Sequence, residues 1–471
     1  MKETNANNNI EEASRLFTSV PLRQELINNL ISLQFNQMTP IQVEGLPVML
    51  KGADVIAKAE TGSGKTAAFA LTLLNQLNID LYAVQALVLC PTRELADQVS
   101  QAIRRFARLL PNIKVLNLSG GIPMKPQLDS LRHGAHIIVG TPGRVLKHLN
   151  KETLPLKKLK FLVLDEADRM LDMGFVDDIK TIISTCPTQR QTLLFSATYD
   201  NEVKKLSKQF MNNPKEIFVE AKQVDADIEQ YFYEAQHSNN KFSLLTSILL
   251  HYKPSSALIF CNTIQKTEEL VDMLKNAGFS AAALNGDMEQ PERDLAIIRF
   301  ANQSCSILVA TDVAARGLDI KELPAVINYE LAFEQPVHVH RIGRTGRAGH
   351  KGLALSITTT ADAMRIAAIE ENQAQPIIWG NSDNLSGNKS SIPSPEMVTL
   401  CISAGKKDKI RPGDILGALT KDAGLAADKI GKIDVGSIFS YIAIHRSCAD
   451  QAFQYFNNGK LKGRKLSAKK F

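Results

Sequence analysis

Phe161-Leu162-Val163-Leu164-Asp165-Glu166-Ala167-Asp168 is the stretch from which the rest of the chain can be ordered. Four apolar residues, short and branched enough for a strand buried on both faces, run straight into two adjacent carboxylates, with a third two residues on. Acid therefore stands where a strand ends. In open α/β sheets the carboxyl ends of strands face the ligand crevice, which suits Asp165 and Glu166 to metal and nucleophile chemistry. The same residues would also serve as a solvated acidic turn opening a helix at Asp168, because carboxylates are favoured at the positive helix end. The neighbouring sequence has to decide between the two.

Upstream, Val55-Ile56-Ala57 leads into Ala59-Glu60-Thr61-Gly62-Ser63-Gly64-Lys65-Thr66 and then the helical Ala67 to Leu71. Strand, glycine loop, Gly-Lys-Thr and helix form a phosphate-binding arrangement, in which backbone N–H groups and the helix N-terminus cradle the phosphates. Lys65 is expected to reach the β- and γ-phosphates and Thr66 to ligate Mg²⁺, although Ala59 replaces the first glycine of the general pattern. Strand-like runs at 86–90, 115–118, 136–139 and 191–195 alternate with helical ones, the pattern of a parallel sheet wrapped by helices. Their ends carry Pro91-Thr92-Arg93-Glu94, Gly120-Gly121, Thr141-Pro142-Gly143-Arg144 and Ser196-Ala197-Thr198, each small, polar or basic, as loops lining a crevice should be.

Around 214–229 the pattern breaks at Pro214 and a charged stretch, and a second series follows, with strands expected at 257–260, 281–284, 306–309 and 325–329. It has no Gly-Lys-Thr loop of its own. It does carry Ala310 to Asp319 and His340-Arg341-Ile342-Gly343-Arg344-Thr345-Gly346-Arg347, where glycines between arginines allow close backbone approach and guanidinium forks suit phosphates.

At 471 residues the chain exceeds one hydrophobic core, and its 44% hydrophobic and 22% charged residues are those of a soluble globular protein. The net charge of +6 does not by itself indicate nucleic acid, but its placement is informative. From Met397 onward there are 14 Lys and Arg against 6 Asp and Glu, so the remainder is slightly acidic. Six scattered cysteines without a C-x-x-C pair read as reduced core residues and argue against a zinc site. The polar N-terminus and the lack of any membrane-length apolar run predict a cytoplasmic protein without membrane attachment.

Over roughly residues 17 to 370 the chain resembles the DEAD-box RNA helicases. The Gln-containing motif ending at Gln42, the Ala59–Thr66 loop (Ala59 included), Asp165 to Asp168, Ser196 to Thr198 and His340 to Arg347 stand in that family's order. The resemblance implies two tandem RecA-like parallel-sheet lobes at 16–213 and 230–372, joined by a linker at 214–229; ahead of them, residues 1–15 are polar and acidic without hydrophobic period and are expected to be disordered. ATP and Mg²⁺ would lie in the cleft, with RNA across both lobes. Thr61, Gly62, Ser63, Gly64, Lys65 and Thr66 would hold the phosphates and the metal, Asp165 would anchor Mg²⁺ through water, and Glu166 would deprotonate the attacking water. Arg344 and Arg347 would act as arginine fingers. Asp319 would meet the ribose and Gln42 the adenine edge, with Phe35 stacked on the base and Phe17 nearby. Asp168, Ser196, Thr198 and His340 would couple ATP state to RNA grip. RNA would be held by Pro91, Thr92, Arg93, Gly121, Thr141, Arg144, Arg293, Thr311 and Gly317, at phosphates and 2′-hydroxyls rather than base edges. Gln34 departs from the family, which has Gly before the aromatic of the adenine motif.

Residues 373–396 turn to Asn, Ser, Gly and Pro, the composition of a flexible linker. Beyond it the strand-helix-strand-strand-helix-strand order predicts a ferredoxin-like, RRM-type α+β domain over 397–471. Phe439 and Tyr441 fall where stacking aromatics could lie, or in the core. Lys406, Lys407, Lys460, Lys462, Arg464 and Lys465 are the candidate RNA contacts, the C-terminal run having no acidic residue among its cations. This module resembles that of a bacterial member of the family. That implies a 23S ribosomal RNA hairpin near the peptidyl-transferase centre as its address and large-subunit precursor RNA as its partner, with the protein a monomer that locally unwinds short helices. An ATP-gated clamp or assembly platform, and a helicase of general RNA turnover, remain alternatives.

Overall fold

The computed structural model describes residues 15–59, 62–199, 201–219, 228–315, 323–346, 351–371, 373, 376–386, 392 and 394–471. Its first sheet contains β1 (Val55–Lys58), β2 (Ala86–Leu89), β3 (Val115–Leu118), β4 (Ile137–Gly140), β5 (Phe161–Leu164), β6 (Gln191–Ser196) and β7 (Lys215–Phe218). All pair in parallel, in the order β3-β4-β2-β5-β6-β1-β7. Successive residues of a strand point to opposite faces, and the cores follow that period of two. Val55, Ala57, Ala86, Val88 and Val163 belong to one apolar cluster, while Ile56, Leu87, Leu89, Leu162 and Leu164 belong to the other. A strand such as β5 therefore reads as a continuous apolar run, because both of its faces are covered by helices.

The second sheet is likewise parallel: β8 (Ile228–Glu234), β9 (Ala257–Cys261), β10 (Ala281–Leu284), β11 (Ile307–Thr311), β12 (Ala325–Asn328) and β13 (Gly352–Thr358), in the order β10-β11-β9-β12-β13-β8. Two strands lie where a linker at 214–229 was expected, β7 and the start of β8. Both are edge strands. β7 exposes Lys215, Glu216 and Phe218 and buries only Ile217, so it lacks the apolar signature of an inner strand. Within 373–396, expected as a flexible linker, Phe232 N of β8 donates to Ile378 O (2.9 Å) and Gly380 N donates to Phe232 O (2.8 Å), so residues 378–380 pair with the open edge of the sheet. Trp379 packs on Phe232 at 6.0 Å, and Leu385 and Ile392 cover the core.

The C-terminal sheet is antiparallel, formed by β14 (Met397–Ile402), β15 (Ile430–Val435), β16 (Ser440–His445) and β19 (Ala468–Lys470) in the order β15-β16-β14-β19. Helices Pro412–Gly417 and Ala449–Asn458 pack on one face through Ile415 and Phe456, with Leu419 of the following turn Ala418–Asp422, against Leu400, Ile402, Ile442 and Ile444. This is the ferredoxin-like arrangement. The expected final strand is divided, because Lys462 and Gly463, both at positive φ, turn a small hairpin between β17 (Lys460–Leu461) and β18 (Arg464–Lys465) ahead of β19. The first sheet forms one compact unit, and the other two sheets belong to a second.

Gln34 follows the helix Gln24–Ser32 at φ 61°, in the left-handed region. The turn forms without glycine, at the steric cost of a Cβ in that region. Gln34→Gly is expected to raise stability by about 1 kcal/mol, seen as a higher denaturation midpoint with ATP affinity unchanged.

On the helix Gln335–Ile342, His338 is buried beside Phe232, and neither ring nitrogen has a hydrogen-bond partner among the described residues. Burial, with Arg341 adding to it, pushes its pKa down from 6.5 to about 4. The folded protein thus refuses a proton that the unfolded chain accepts, so stability falls as pH drops from 6.5 to 4, by roughly 3 kcal/mol in all. His338→Phe is expected to lose distinctly less stability than the wild type between pH 7 and pH 5 in parallel denaturant titrations.

Candidate nucleotide and RNA sites

The order of the first sheet divides its carboxyl edge in two. The tips of β1, β6 and β5 carry the glycine loop, Ser196 and Asp165-Glu166, while the tips of β2, β4 and β3 carry Pro91 to Arg93, Thr141 to Arg144 and Gly120-Gly121. Residues far apart in sequence are gathered into the half expected to hold nucleotide and the half expected to hold RNA.

In the nucleotide half, Gly62 (φ 88°) and Gly64 (φ 96°) bend the loop into the helix Lys65–Gln76. A Cβ on Gly64 would lie 2.4 Å from Gln42 Nε2, so the Gln-containing motif clasps the loop from behind. Gln42 is buried, donates to Gly64 O at 3.0 Å and accepts from Thr39 N at 2.9 Å. One amide hydrogen and one lone pair of Gln42 remain for an adenine edge. Lys65 Nζ folds onto Ala59 O at 2.8 Å, a contact that an incoming phosphate would replace. Thr66 lies in the helix's first turn. Phe17 is packed in the core rather than presented to a base. Phe35 is half-buried, edge-on to Phe106 at 5.5 Å with Arg105 over its ring.

The acidic stretch is buried, which removes the solvated-turn reading. Burial raises the Asp165 pKa from 3.8 to about 7, although the Lys65 charge opposes the shift. A cation beside this carboxylate would lower its pKa again. No group of three or more His, Cys, Asp or Glu side chains suited to a metal occurs among the described residues. The donors at hand, one carboxylate and the Thr66 hydroxyl beside a phosphate cradle, fit Mg²⁺ held largely by water and substrate oxygens. Glu166 stands at φ 53° with its carboxylate on Arg169 Nη1 at 2.9 Å, in a buried ion pair. Sequence reading missed Arg169, although its i+3 spacing on the following helix was visible. Asp168 joins this strand tip to the next: its Oδ2 accepts from Ala197 N (3.1 Å) and Thr198 N (3.0 Å), and its own N–H donates to Ser196 Oγ (3.3 Å).

In the RNA half, the Thr92 hydroxyl caps its helix by accepting from Leu95 N, while Arg93 is exposed. A Cβ on Gly120 would stand 3.0 Å from the Arg93 guanidinium, which therefore lies against the glycine loop, where Gly121 is exposed. Thr141 opens the helix Pro142–Asn150. Burial, and then the Arg93 charge, pull the Arg144 guanidinium below its ordinary pKa. Two guanidinium groups facing a glycine turn suit a phosphate, which would relieve their repulsion.

In the second unit, Arg293 Nη1 donates to Asn285 O (2.9 Å), and Thr311 closes β11. His340 is half-buried and Arg344 buried. Arg341 departs from the phosphate reading of its run. It is buried and donates to both carboxylate oxygens of Asp312 (2.6 and 2.7 Å), to Glu330 O (2.6 Å) and to Asn262 Oδ1 (2.8 Å), so the protein itself uses this guanidinium. Thr61, Gly317, Asp319 and Arg347 lie outside the described residues.

The outer face of the C-terminal sheet carries Thr399, Cys401 and Tyr441, and at Thr399 it meets the turn after the helix Gln290–Ala301. Thr399 is fully buried, with Oγ1 2.6 Å from Ser304 Oγ and 3.2 Å from Asn302 Nδ2. Phe439 instead precedes β16 in an exposed loop next to Ile438. Lys406 N and Lys407 N donate to Gly436 O and Ser437 O, Lys462 Nζ reaches Lys409 O, and Arg464 pairs with Asp408. Three loops therefore meet at one end of the domain, bringing together all six cations expected to bind RNA. The tail is less basic than its own sequence indicates, because Lys462 pairs with Asp414 (2.7 Å), and Arg464 and Lys470 pair with Asp408 and Asp450.

Residues 39–206 match the DEAD/DEAH box helicase family, 240–349 the helicase conserved C-terminal domain and 399–470 the DbpA RNA binding domain. The chain is 49% identical over 438 residues to the ATP-dependent RNA helicase DbpA of Escherichia coli, covering 93% of this chain and 95% of the relative. The chain belongs to the DEAD-box ATP-dependent RNA helicases. DbpA of Bacillus subtilis is 37% identical over 474 residues, covering 96% and 99% of the two chains. This DEAD-box helicase is also similar to the solved structure of Dbp5 from S. cerevisiae bound to RNA and ADP BeF3, with a TM-score of 0.72 and 32% identity over 79% of this chain and 96% of that one. It is thus an ATP-dependent RNA helicase with a DbpA-type RNA-binding domain, and its sheets are those of two RecA-like lobes followed by that domain. Among the described residues, no helix is long and apolar enough to cross a membrane.

Proposed function

We propose that this helicase locally separates short helices of ribosomal RNA during large-subunit assembly, and that its C-terminal domain selects a 23S ribosomal RNA hairpin. The convergence of Lys406, Lys407, Lys460, Lys462, Arg464 and Lys465 beside exposed Ile438 and Phe439 carries this reading, since it offers cations and a stacking ring at one place. Lys65 would hold the β- and γ-phosphates, and Thr66 and Asp165 would hold Mg²⁺, which would neutralise charge on the phosphate oxygens. Glu166 takes the proton of the attacking water, and Arg169 keeps its carboxylate aimed. Arg344 and Arg347 neutralise the transferring phosphoryl group, and Asp319 meets the ribose. Arg93, Arg144, Arg293, Thr311 and Gly317 hold the RNA backbone. The protein works as a cytoplasmic monomer on precursor RNA.

The test compares ATPase stimulation by the 23S hairpin with stimulation by unrelated RNA of equal length. Wild-type protein is expected to need far less of the hairpin for half-maximal rate. Lys406→Ala/Lys407→Ala and Phe439→Ala are each expected to erase most of that preference, whereas Tyr441→Ala, on the covered sheet face, keeps it. Equal stimulation by both RNAs in the wild type would overturn the ribosomal assignment and leave the helicase in general RNA turnover.

A further inference from the structure

We propose that Gln127, backed by His148, is a positioning residue that locks two RNA-contacting loops of the first lobe into one anion grip. Gln127 lies on the helix Met124–Arg132, outside every motif named above, and is 2% exposed. Its Nε2 donates to Ser119 O (3.0 Å) and Asn117 O (3.5 Å), and so holds the strand tip that leads into Gly120-Gly121. Its Oε1 accepts from Arg144 Nη1 (2.8 Å) and His148 Nε2 (3.0 Å). Arg144 completes the ring by donating Nη2 to Ile122 O at 3.0 Å.

The chemistry of the neighbours fixes the amide's orientation. Arginine can only donate and backbone carbonyls can only accept, so a flipped amide would face like with like on both sides. All four hydrogen-bonding positions of Gln127 are filled in the unflipped form. His148 is fully buried, and burial, then Arg144 and Lys151, pull its pKa down; its Nε2 faces Gln127 Oε1, an acceptor, and therefore carries hydrogen. Thr153 Oγ1 lies 2.9 Å from Nδ1 and 3.0 Å from His148 O, so its one hydrogen is shared between these two acceptors. A long arginine that would otherwise sample many rotamers is therefore held in one, beside Arg93 and the glycine turn, before RNA arrives. Pre-ordering of this kind improves affinity by sparing the entropy of ordering on binding.

The inference rests on the reading of Arg144 as an RNA contact, and the experiment separates the two. In the full chain, Gln127→Met, Arg144→Ala and the double variant are compared for the RNA concentration giving half-maximal ATPase, the maximal rate and KM for ATP at saturating RNA. Gln127→Met is expected to raise the half-saturating RNA concentration about tenfold, with KM for ATP and maximal rate within twofold of wild type. The double variant is expected to be no weaker than Arg144→Ala alone, because both changes remove one contact. Additive losses, or unchanged RNA affinity in a folded Gln127→Met protein, overturn the positioning role. Unchanged affinity in Arg144→Ala overturns the RNA-contact reading instead. If Gln127→Met does not fold, Gln127→Glu serves: nearly isosteric, it keeps the acceptor for Arg144 but turns an oxygen toward Ser119 O. Weakened RNA binding is expected from it, and wild-type affinity overturns the proposal.

Discussion

Glu166→Gln is expected to lower RNA-stimulated ATP turnover by roughly 10³-fold while leaving ATP and RNA binding within a few fold of wild type. The substitution keeps the side chain's length and its capacity to accept from Arg169 Nη1, so the turn at φ 53° is preserved. What it removes is the ability to take a proton. Steady-state ATPase at saturating RNA, set beside equilibrium binding of each ligand, checks it. A Gln variant retaining a tenth or more of wild-type turnover would exclude Glu166 as the base. If that variant is inactive yet still supports ribosome assembly in cells, the protein acts as a clamp, and hydrolysis serves only its release.

The second large effect is on stability. Arg341→Ala is expected to destabilise the second lobe by about 3–5 kcal/mol, enough to abolish RNA-stimulated activity through unfolding rather than through loss of a phosphate contact. The change leaves Asp312, Asn262 and the Glu330 carbonyl without their shared donor, and the Phe260 ring without the guanidinium 4.9 Å from its centre. Denaturant unfolding followed by circular dichroism checks it, and a lower RNA affinity in a protein of unchanged stability would return Arg341 to the RNA surface.

Arg341 also marks the limit of what the sequence discloses. Three arginines spaced by glycines look alike in one dimension, and only packing distinguishes the one that turns inward. The inner strands were legible because burial on both faces leaves an apolar run, as in Phe161 to Leu164. Edge strands β7 and β8 were not, since one exposed side admits charge. The glycine loop and the acidic stretch were readable because their chemistry demands fixed residue types at short spacing. Gln127 and Arg169 were not, because their partners are set by the fold: Gln127 reaches back to Ser119 and forward to Arg144 and His148. The same applies to the C-terminal cations, whose carboxylate partners Asp408 and Asp414 lie about fifty residues upstream.

Along the carboxyl edge of the first sheet, Ala59 N donates to Ser196 O, Asp165 N to Leu89 O, Cys90 N to Gly140 O and Thr141 N to Leu118 O. The nucleotide half and the RNA half therefore share one seam, where β5 lies beside β2, and main-chain bonds stitch the tips on either side of it. At about 4.8 Å per strand, the whole strip from the glycine loop to Gly121 is roughly 24 Å wide. Between β6 and β5 the tips are joined instead through the Asp168 carboxylate and the Ser196 hydroxyl, so a shift in the phosphate cradle crosses that step by side chains. A substitution that softens the seam is expected to leave both ligands bound while ATP turnover and RNA release lose their coupling.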